Sequence, residues 1–229
     1  MKHTGHRLCG HQTGFTLVEV LVAIGVMALL TLMSWQGIDA MLRTQTALQQ
    51  RADQIRTLQA GLAQWQTDLN RISTVTGITS WDWDGRVLRL TREGEQSGDG
   101  VRVVAWTWRT GQSEAGHWLR WQSPALTTRL AWQQAWQHAQ DWRQSPVESL
   151  RAGEVSIHAL TGWQLFVHRG GSWSNPLSSD AAQEAGKAQA TAQRVPDGVR
   201  LVLDLPSTGP IAGRLTLDWV RPTLTGAGS

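Results

Sequence analysis

The sequence predicts an α+β fold in which one long N-terminal helix packs on an antiparallel β-sheet domain. Three observations predict it. An apolar run lies near the N-terminus, an amphipathic helical pattern continues it without a proline, and short segments of alternating polarity follow residue 72. At 229 residues the chain has room for one ordinary domain plus such extra elements.

The apolar run covers residues 15–33, and Glu19 is its only ionisable side chain. At about 1.5 Å per residue the run is roughly 28 Å long, which matches a bilayer's hydrocarbon core of about 30 Å. It is too long for the core of a secretory signal, and no Ala-x-Ala-like cleavage site follows it. Lys2 and Arg7 precede it, so we expect a single transmembrane segment at residues 15–36 with the N-terminus cytoplasmic and the rest exported.

The helical pattern continues beyond the apolar run, because no proline occurs before Pro124 and apolar residues recur at steps of three and four. This stripe consists of Trp35, Ile38, Met41, Leu42, Leu48, Ile55, Leu58, Leu62, Trp65, Leu69 and Ile72. It predicts one helix over residues 15–72, amphipathic from residue 37 onward. We expect the stripe to pack on the chain's own C-terminal domain, although it also fits a short coiled-coil seam.

The β-rich domain is expected over residues 73–222. Segments with period-two alternation predict strands at 86–91, 101–109, 117–121, 163–168, 199–205 and 214–220. Asp84-Gly85 and Asp99-Gly100 are placed as hairpin turns. Residues 125–143, with Trp132 and Trp136 four apart, predict a short helix. A low-complexity loop is expected at 178–194 and a flexible tail at 223–229.

The amino-acid composition excludes some classes of protein and of partner. The chain has fourteen Trp, two Phe and no Tyr, so Trp is expected to fill the core, with an exposed aromatic platform as the alternative. After residue 14 the chain holds 19 basic and 18 acidic residues and no basic run, so no nucleic-acid partner is expected. Cys9 is the only cysteine, which excludes a disulfide framework.

No catalytic chemistry is evident in the sequence. The four histidines after residue 14 are spread out and have no Cys partners, so no metal site is expected. The segment 82–85 (DWDG) begins like a calcium loop but lacks the later acids, and a hairpin turn is favoured there. Without a phosphate-binding loop or a nucleophile elbow, we expect no enzyme, no catalytic residue and no cofactor.

The segment Gly14-Phe15-Thr16-Leu17-Val18-Glu19 resembles the class III signal of type IV pilins and type II secretion pseudopilins. The resemblance implies that a prepilin peptidase cleaves after Gly14, removes the leader 1–14 with Cys9, and methylates the new terminus at Phe15. It also implies that Glu19 pairs with the amino terminus of a neighbouring subunit during assembly, since a carboxylate within hydrocarbon needs a partner. The alternative is that Glu19 only reaches the headgroups.

Further segments resemble the J-type minor pseudopilin family of type II secretion systems: residues 34–44, 58–69, 160–166 with 172–176, and 195–201. The stretch 106–142 departs from that pattern. The resemblance implies a minor pseudopilin, in the bacterial inner membrane with its C-terminal domain in the periplasm, that takes part in the tip complex initiating pseudopilus assembly. Its implied partners are the I, K and H minor types, the major G type, prepilin peptidase and inner-membrane lipid.

Two alternatives remain open from the sequence. The same signal serves minor pilins of type IV pili, in which a Trp-rich domain would act in adhesion or DNA uptake. An enzyme tethered by a pilin-like anchor is the other alternative, and it would require a clustered polar pocket in the exported domain.

Overall fold

A computed structural model of the chain describes residues 14–94, 96, 98–110, 115–143, 152–177 and 195–222. The chain divides into two compact units, Met1–Arg51 and Ala52–Ser229. The leader up to residue 13, the loop predicted at 178–194 and the tail predicted at 223–229 lie outside the described residues.

The first helix, α1, spans Leu17–Asn70 and contains 54 residues without interruption. It is two residues shorter at each end than the predicted span of 15–72. At its C-terminal end, Ile72 instead forms an antiparallel bridge with Arg92, and the Ser73 N–H donates to the Thr91 carbonyl at 2.8 Å. These bonds draw the chain into a sheet and end the helix.

Among the described residues, nine strands and a second helix follow α1, and the predicted fold class is confirmed. They are β1 Trp81–Trp83, β2 Val87–Glu93, β3 Val101–Thr110, β4 Gly116–Gln122, α2 Arg129–Asp141, β5 Glu154–Leu160, β6 Gly162–Arg169, β7 Ser172–Ser174, β8 Gly198–Leu205 and β9 Gly213–Val220. They form a five-stranded sheet A, in the order β1-β2-β3-β4-β5, and a four-stranded sheet B, in the order β7-β6-β8-β9. All neighbouring strands are antiparallel.

All six predicted strands are present, within one or two residues of their predicted limits. The turn at Asp84-Gly85 is also confirmed: Gly85 has a φ of +91°, and Asp84 Oδ1 accepts from the N–H groups of Arg86 and Val87. Because Asp82 pairs with Arg89 across the hairpin, this segment is a hairpin rather than a calcium loop.

Sequence reasoning missed β1, β5 and β7 and started α2 too early. Two of the missed strands, β1 and β7, have three residues each, too few to show a periodicity. The prediction that a helix covers 125–143 was wrong at its start, because Leu126 is extended and exchanges two backbone hydrogen bonds with Val101. Thr128 then caps α2, its Oγ1 accepting from the Ala131 N–H at 3.2 Å.

The main core of the unit Ala52–Ser229 lies between the C-terminal part of α1 and the inner faces of both sheets. Leu58, Trp65 and Leu69 supply the helix side of it. A second core lies on the other face of sheet A, under α2, where Trp132 and Trp142 pack. Sheet A therefore has a helix on each face, which explains why its strands are buried on both sides.

Tryptophan fills these cores, as expected. Eight tryptophans are buried: Trp65, Trp81, Trp106, Trp118, Trp121, Trp132, Trp142 and Trp219. Trp65 contacts Trp106 edge to face, with ring centroids 5.3 Å apart, and Trp118 lies beside both. Among the described tryptophans only Trp35 and Trp173 are exposed. Few tryptophan rings are therefore accessible to form the aromatic binding platform considered as the alternative.

A buried ion cluster fixes the end of α1 on sheet A. Asp68 is fully buried and accepts two bonds from Arg120 on β4, at 2.8 and 2.9 Å. It also accepts from Trp106 Nε1 at 3.0 Å and lies 3.4 Å from a guanidinium nitrogen of Arg92 on β2. Burial lowers the pKa of Arg92, and Asp68 opposes that shift. This carboxylate therefore ties one helix to three strands, β2, β3 and β4.

Candidate processing and assembly site

The predicted site lies at the start of α1, in the unit Met1–Arg51. Gly14, Phe15 and Thr16 precede the first helical residue, and all three are exposed. Phe15 is 88% exposed, and a Cβ built on Gly14 would meet nothing within 4 Å. The bond between Gly14 and Phe15 is therefore accessible, immediately outside a helix that would resist cleavage.

Thr16 and Glu19 form a capping box at this helix start. Glu19 Oε2 accepts hydrogen bonds from the Thr16 N–H and the Thr16 hydroxyl, both at 2.9 Å. In return the Glu19 N–H donates to Thr16 Oγ1 at 3.3 Å. This exchange satisfies backbone donors that have no partner within the helix. Glu19 thus has a role in its own chain in addition to any role between subunits.

The two carboxylate oxygens of Glu19 differ in their hydrogen bonding. Oε2 is held by the capping box, whereas Oε1 accepts no hydrogen bond from the described residues. The side chain is exposed, as are its neighbours on the helix. Oε1 is therefore free to accept a bond from a donor outside the chain while the cap stays intact.

Over residues 20–30 the helix carries only apolar residues and one glycine, on all sides. Its large apolar side chains from Leu17 to Leu48 are each between 47% and 77% exposed. Thr31 Oγ1 donates to the Met27 carbonyl at 2.8 Å, so this hydroxyl brings no unsatisfied donor into hydrocarbon. The next charged groups after Glu19 are Asp39 and Arg43, which pair at 2.8 Å. The helix is long and apolar enough to cross a membrane.

The predicted packing of the stripe on the chain's own domain is confirmed only for its later part. From Leu58 onward its side chains enter the main core, with Leu62 partly buried. Trp35, Ile38, Met41, Leu42 and Leu48 are more than half exposed. These five residues are apolar and available to lipid or to other helices.

Sequence reasoning placed Gly14, Phe15 and Glu19 at one site, and the structure brings them together at one helix start. The sequence analysis did not identify Thr16 as the capping partner of Glu19. The signal was present in the sequence, since a Thr followed three residues later by Glu before an apolar run is typical of a capping box.

Described residues of the unit Ala52–Ser229 line two cavities. The larger is about 820 Å³, lies between the 75–78 turn and the start of α2, and includes Trp132. The smaller is about 460 Å³ and includes His117 and His158. Among the described residues, no group of three or more His, Cys, Asp or Glu is arranged to hold a metal ion.

Comparison with protein families supports the interpretation of the helix start. Residues 9–35 match the family described as the prokaryotic N-terminal methylation motif. This stretch contains Gly14, Phe15 and Glu19 and most of the apolar run. No curated protein matches the chain. The motif, the long apolar helix and the antiparallel sheets that follow together indicate a type IV pilin-like or pseudopilin protein, whose signal implies processing by prepilin peptidase and assembly with other pilin-like proteins.

Proposed function

We propose that the chain is a minor pseudopilin of a type II protein secretion system, acting by assembly rather than catalysis. It would take part in the tip complex that initiates the pseudopilus for export of folded proteins across the outer membrane. The observation that carries the proposal is the methylation motif at residues 9–35. The J-type resemblance of residues 34–44 and 58–69 favours the secretion system over other users of that signal.

In this proposal prepilin peptidase removes the leader and leaves the amino group of Phe15 at the edge of the membrane. Glu19 Oε1 of one subunit then accepts from the Phe15 amine of a neighbour, while Oε2 keeps its own helix capped. The pairing offsets the cost of a carboxylate in hydrocarbon, which amounts to several kcal/mol. The exposed apolar side chains of α1 replace lipid contacts by contacts with sister helices.

The proposed partners are the I, K and H minor types and the major G type, with the N-terminus cytoplasmic and the unit Ala52–Ser229 in the periplasm. The alternative is a minor pilin of a type IV pilus that serves adhesion or DNA uptake. The near balance of 19 basic and 18 acidic residues after residue 14 argues mildly against DNA.

A Gly14→Leu variant tests the proposal in a secretion-competent strain whose own copy is deleted. We expect it to accumulate as the uncleaved precursor and to stop export, because a large side chain at the cleaved bond blocks the peptidase. Gly25→Leu is the matched control, since a Cβ at Gly25 meets nothing within 4 Å and the position lies eleven residues beyond Gly14. We expect normal cleavage of this control, read as the shift in mass on immunoblots.

Co-purification separates the two functions. Detergent extracts of the processed chain should contain the I and K types if the chain is a minor pseudopilin. Retention of DNA that weakens steeply with salt, without those partners, would favour the pilus alternative. Normal cleavage and export with Gly14→Leu would contradict both, because both depend on the same signal.

A further inference from the structure

The two sheets have four edge strands among the described residues, and three of them carry features that discourage pairing with another chain. β1 and β7 have only three residues each. β5 joins β4 through a register shift at Trp118 and Leu119. Short edges and bulges of this kind protect natural sheets from edge-to-edge association. The fourth edge, β9, has eight residues in unbroken register with β8 and contains neither Pro nor Lys.

The pairing of β9 with β8 determines which backbone N–H and C=O groups of β9 point away from β8. The Arg221 N–H donates to the Asp197 carbonyl, which makes that pair a hydrogen-bonded one. Because such pairs alternate in an antiparallel ladder, the odd-numbered residues of β9 bond to β8 and the even-numbered residues bond outward. Arg214, Thr216, Asp218 and Val220 therefore direct their N–H and C=O groups to a side on which no described strand lies.

We propose that β9 is a self-association surface, and that it pairs antiparallel with β9 of a second copy of this chain about a two-fold axis at Thr216. In this register Arg214 of one copy lies opposite Asp218 of the other. Registers centred on Arg214 or on Asp218 would instead place like charges opposite each other, which is destabilising. Registers centred on Leu215 or on Leu217 place no opposite charges face to face. Only the register centred on Thr216 therefore brings each Arg214 opposite an Asp218.

Two charged residues on the neighbouring strand β8, Arg200 and Asp204, extend the charge pairing between the two copies. Within one copy Asp218 pairs with Arg200 at 2.6 Å and Arg214 pairs with Asp204 at 2.8 Å. In the paired strands these four charges form a row of alternating sign that crosses from one copy to the other: Arg200 and Asp218, then Arg214 and Asp204 of the second copy. On the inner face Leu215, which is partly buried, meets Leu217 of the second copy, so both lose exposed apolar area.

The proposal rests only on the unit Ala52–Ser229 and is independent of the proposed function. Failure of Gly14→Leu to block cleavage would leave it standing, and absence of self-pairing would leave the processing site unaffected.

Disulfide trapping of the full chain in detergent micelles tests it. In a Cys9→Ser background, which removes the only cysteine, Thr216→Cys places two thiols at the two-fold axis. Opposed residues in a hydrogen-bonded pair have Cα atoms about 5.5 Å apart, within the range of a disulfide. Gln164→Cys is the matched control, because Gln164 and Thr216 are both exposed and lie in one row across sheet B, two strands apart.

We expect Thr216→Cys to form the covalent dimer at least about ten-fold faster than Gln164→Cys under copper-phenanthroline oxidation, since paired strands raise the local thiol concentration. Equal rates would overturn the proposal. So would a Thr216→Cys adduct in bacterial membranes with a different protein and none between copies, because the occupant would then be another partner.

A second variant tests the backbone pairing without a new thiol. Thr216→Pro removes an N–H that faces outward, and proline is tolerated on edge strands at such positions. We expect the variant to fold and to lose the dimer in sedimentation analysis in micelles. A folded variant that dimerises as well as the wild type would contradict pairing through β9.

Discussion

At the scale of single residues, Glu19 has two separable roles, and substitutions can distinguish them. Gln at the same position still reaches back to the Thr16 N–H, so Glu19→Gln keeps the capping box and removes the charge. We expect this variant to insert into the membrane normally and to lose most of its assembly with sister subunits, measured by cross-linking in membranes.

Thr16→Ala is the complementary variant, because it removes the capping hydroxyl and keeps the carboxylate. It is expected to weaken the helix start by about 0.5–2 kcal/mol while assembly persists. If Glu19→Gln assembles as well as the wild type, the intersubunit pairing is wrong and the carboxylate serves only the cap.

His158 gives the unit Ala52–Ser229 a specific pH dependence. Burial lowers the pKa of His158, and the neighbouring His117 lowers it further. The unfolded chain therefore takes up this proton at a higher pH than the folded chain does. The free energy of unfolding is expected to fall as the pH decreases through about 6.5, the ordinary value, and to level off below the folded pKa.

The variant His158→Gln removes that titration. Its thermal midpoint should fall less than that of the wild type between about pH 7.5 and pH 5.5, measured by circular dichroism of the full chain in micelles. Parallel curves for the two proteins would show that His158 makes no such contribution.

At the scale of elements, α1 meets sheet A closely at Gly61. A Cβ on Gly61 would lie 2.3 Å from Ile157 Cγ2 and 3.3 Å from Trp118 Cζ3. We expect Gly61→Ala to destabilise the fold by about 1–3 kcal/mol, although alanine favours a helix over glycine by about 1 kcal/mol. Chemical denaturation with urea measures the difference.

Gly37→Ala is the control for helix propensity, because a side chain at Gly37 meets nothing within 4 Å. It should be neutral or slightly stabilising. The cost of Gly61→Ala should shrink in combination with Ile157→Ala, which removes the clashing methyl group. An increase in stability on Gly61→Ala alone would mean that the helix and β5 are not in close contact.

Local sequence patterns predicted some of the strands and helix limits but not others. Alternation in the sequence predicted six strands because each of them has seven or more residues, enough to show the pattern. It failed for β1 and β7, which are too short. In β5 the apolar residues Val155, Ile157 and Ala159 do alternate, but Val155 is exposed and the strand has a bulge next to it. The start of α2 was misplaced because a long-range bond between Leu126 and Val101 keeps residues before Thr128 extended.

At the scale of the whole molecule, the processing site could be predicted from the sequence because its residues lie within one short segment. Gly14, Phe15 and Glu19 are separated by at most five positions, and Thr16 was within reach of the same analysis. The Asp68 cluster could not be predicted, because its partners Arg92 and Arg120 come from strands that are distant in sequence. The position of β9 at the edge of sheet B could not be predicted either. It depends on which strands pair, and alternation within one strand does not reveal the pairing.

The pilin-like identity depends on two covalent events, the cleavage after Gly14 and the methylation of Phe15. The most direct test is the mass of the N-terminal peptide of the chain after extraction from the membranes of bacteria that contain a prepilin peptidase. We expect a peptide that begins at Phe15 and carries one added methyl group. A chain that retains the leader, or that begins at any other residue, would contradict the pilin-like identity.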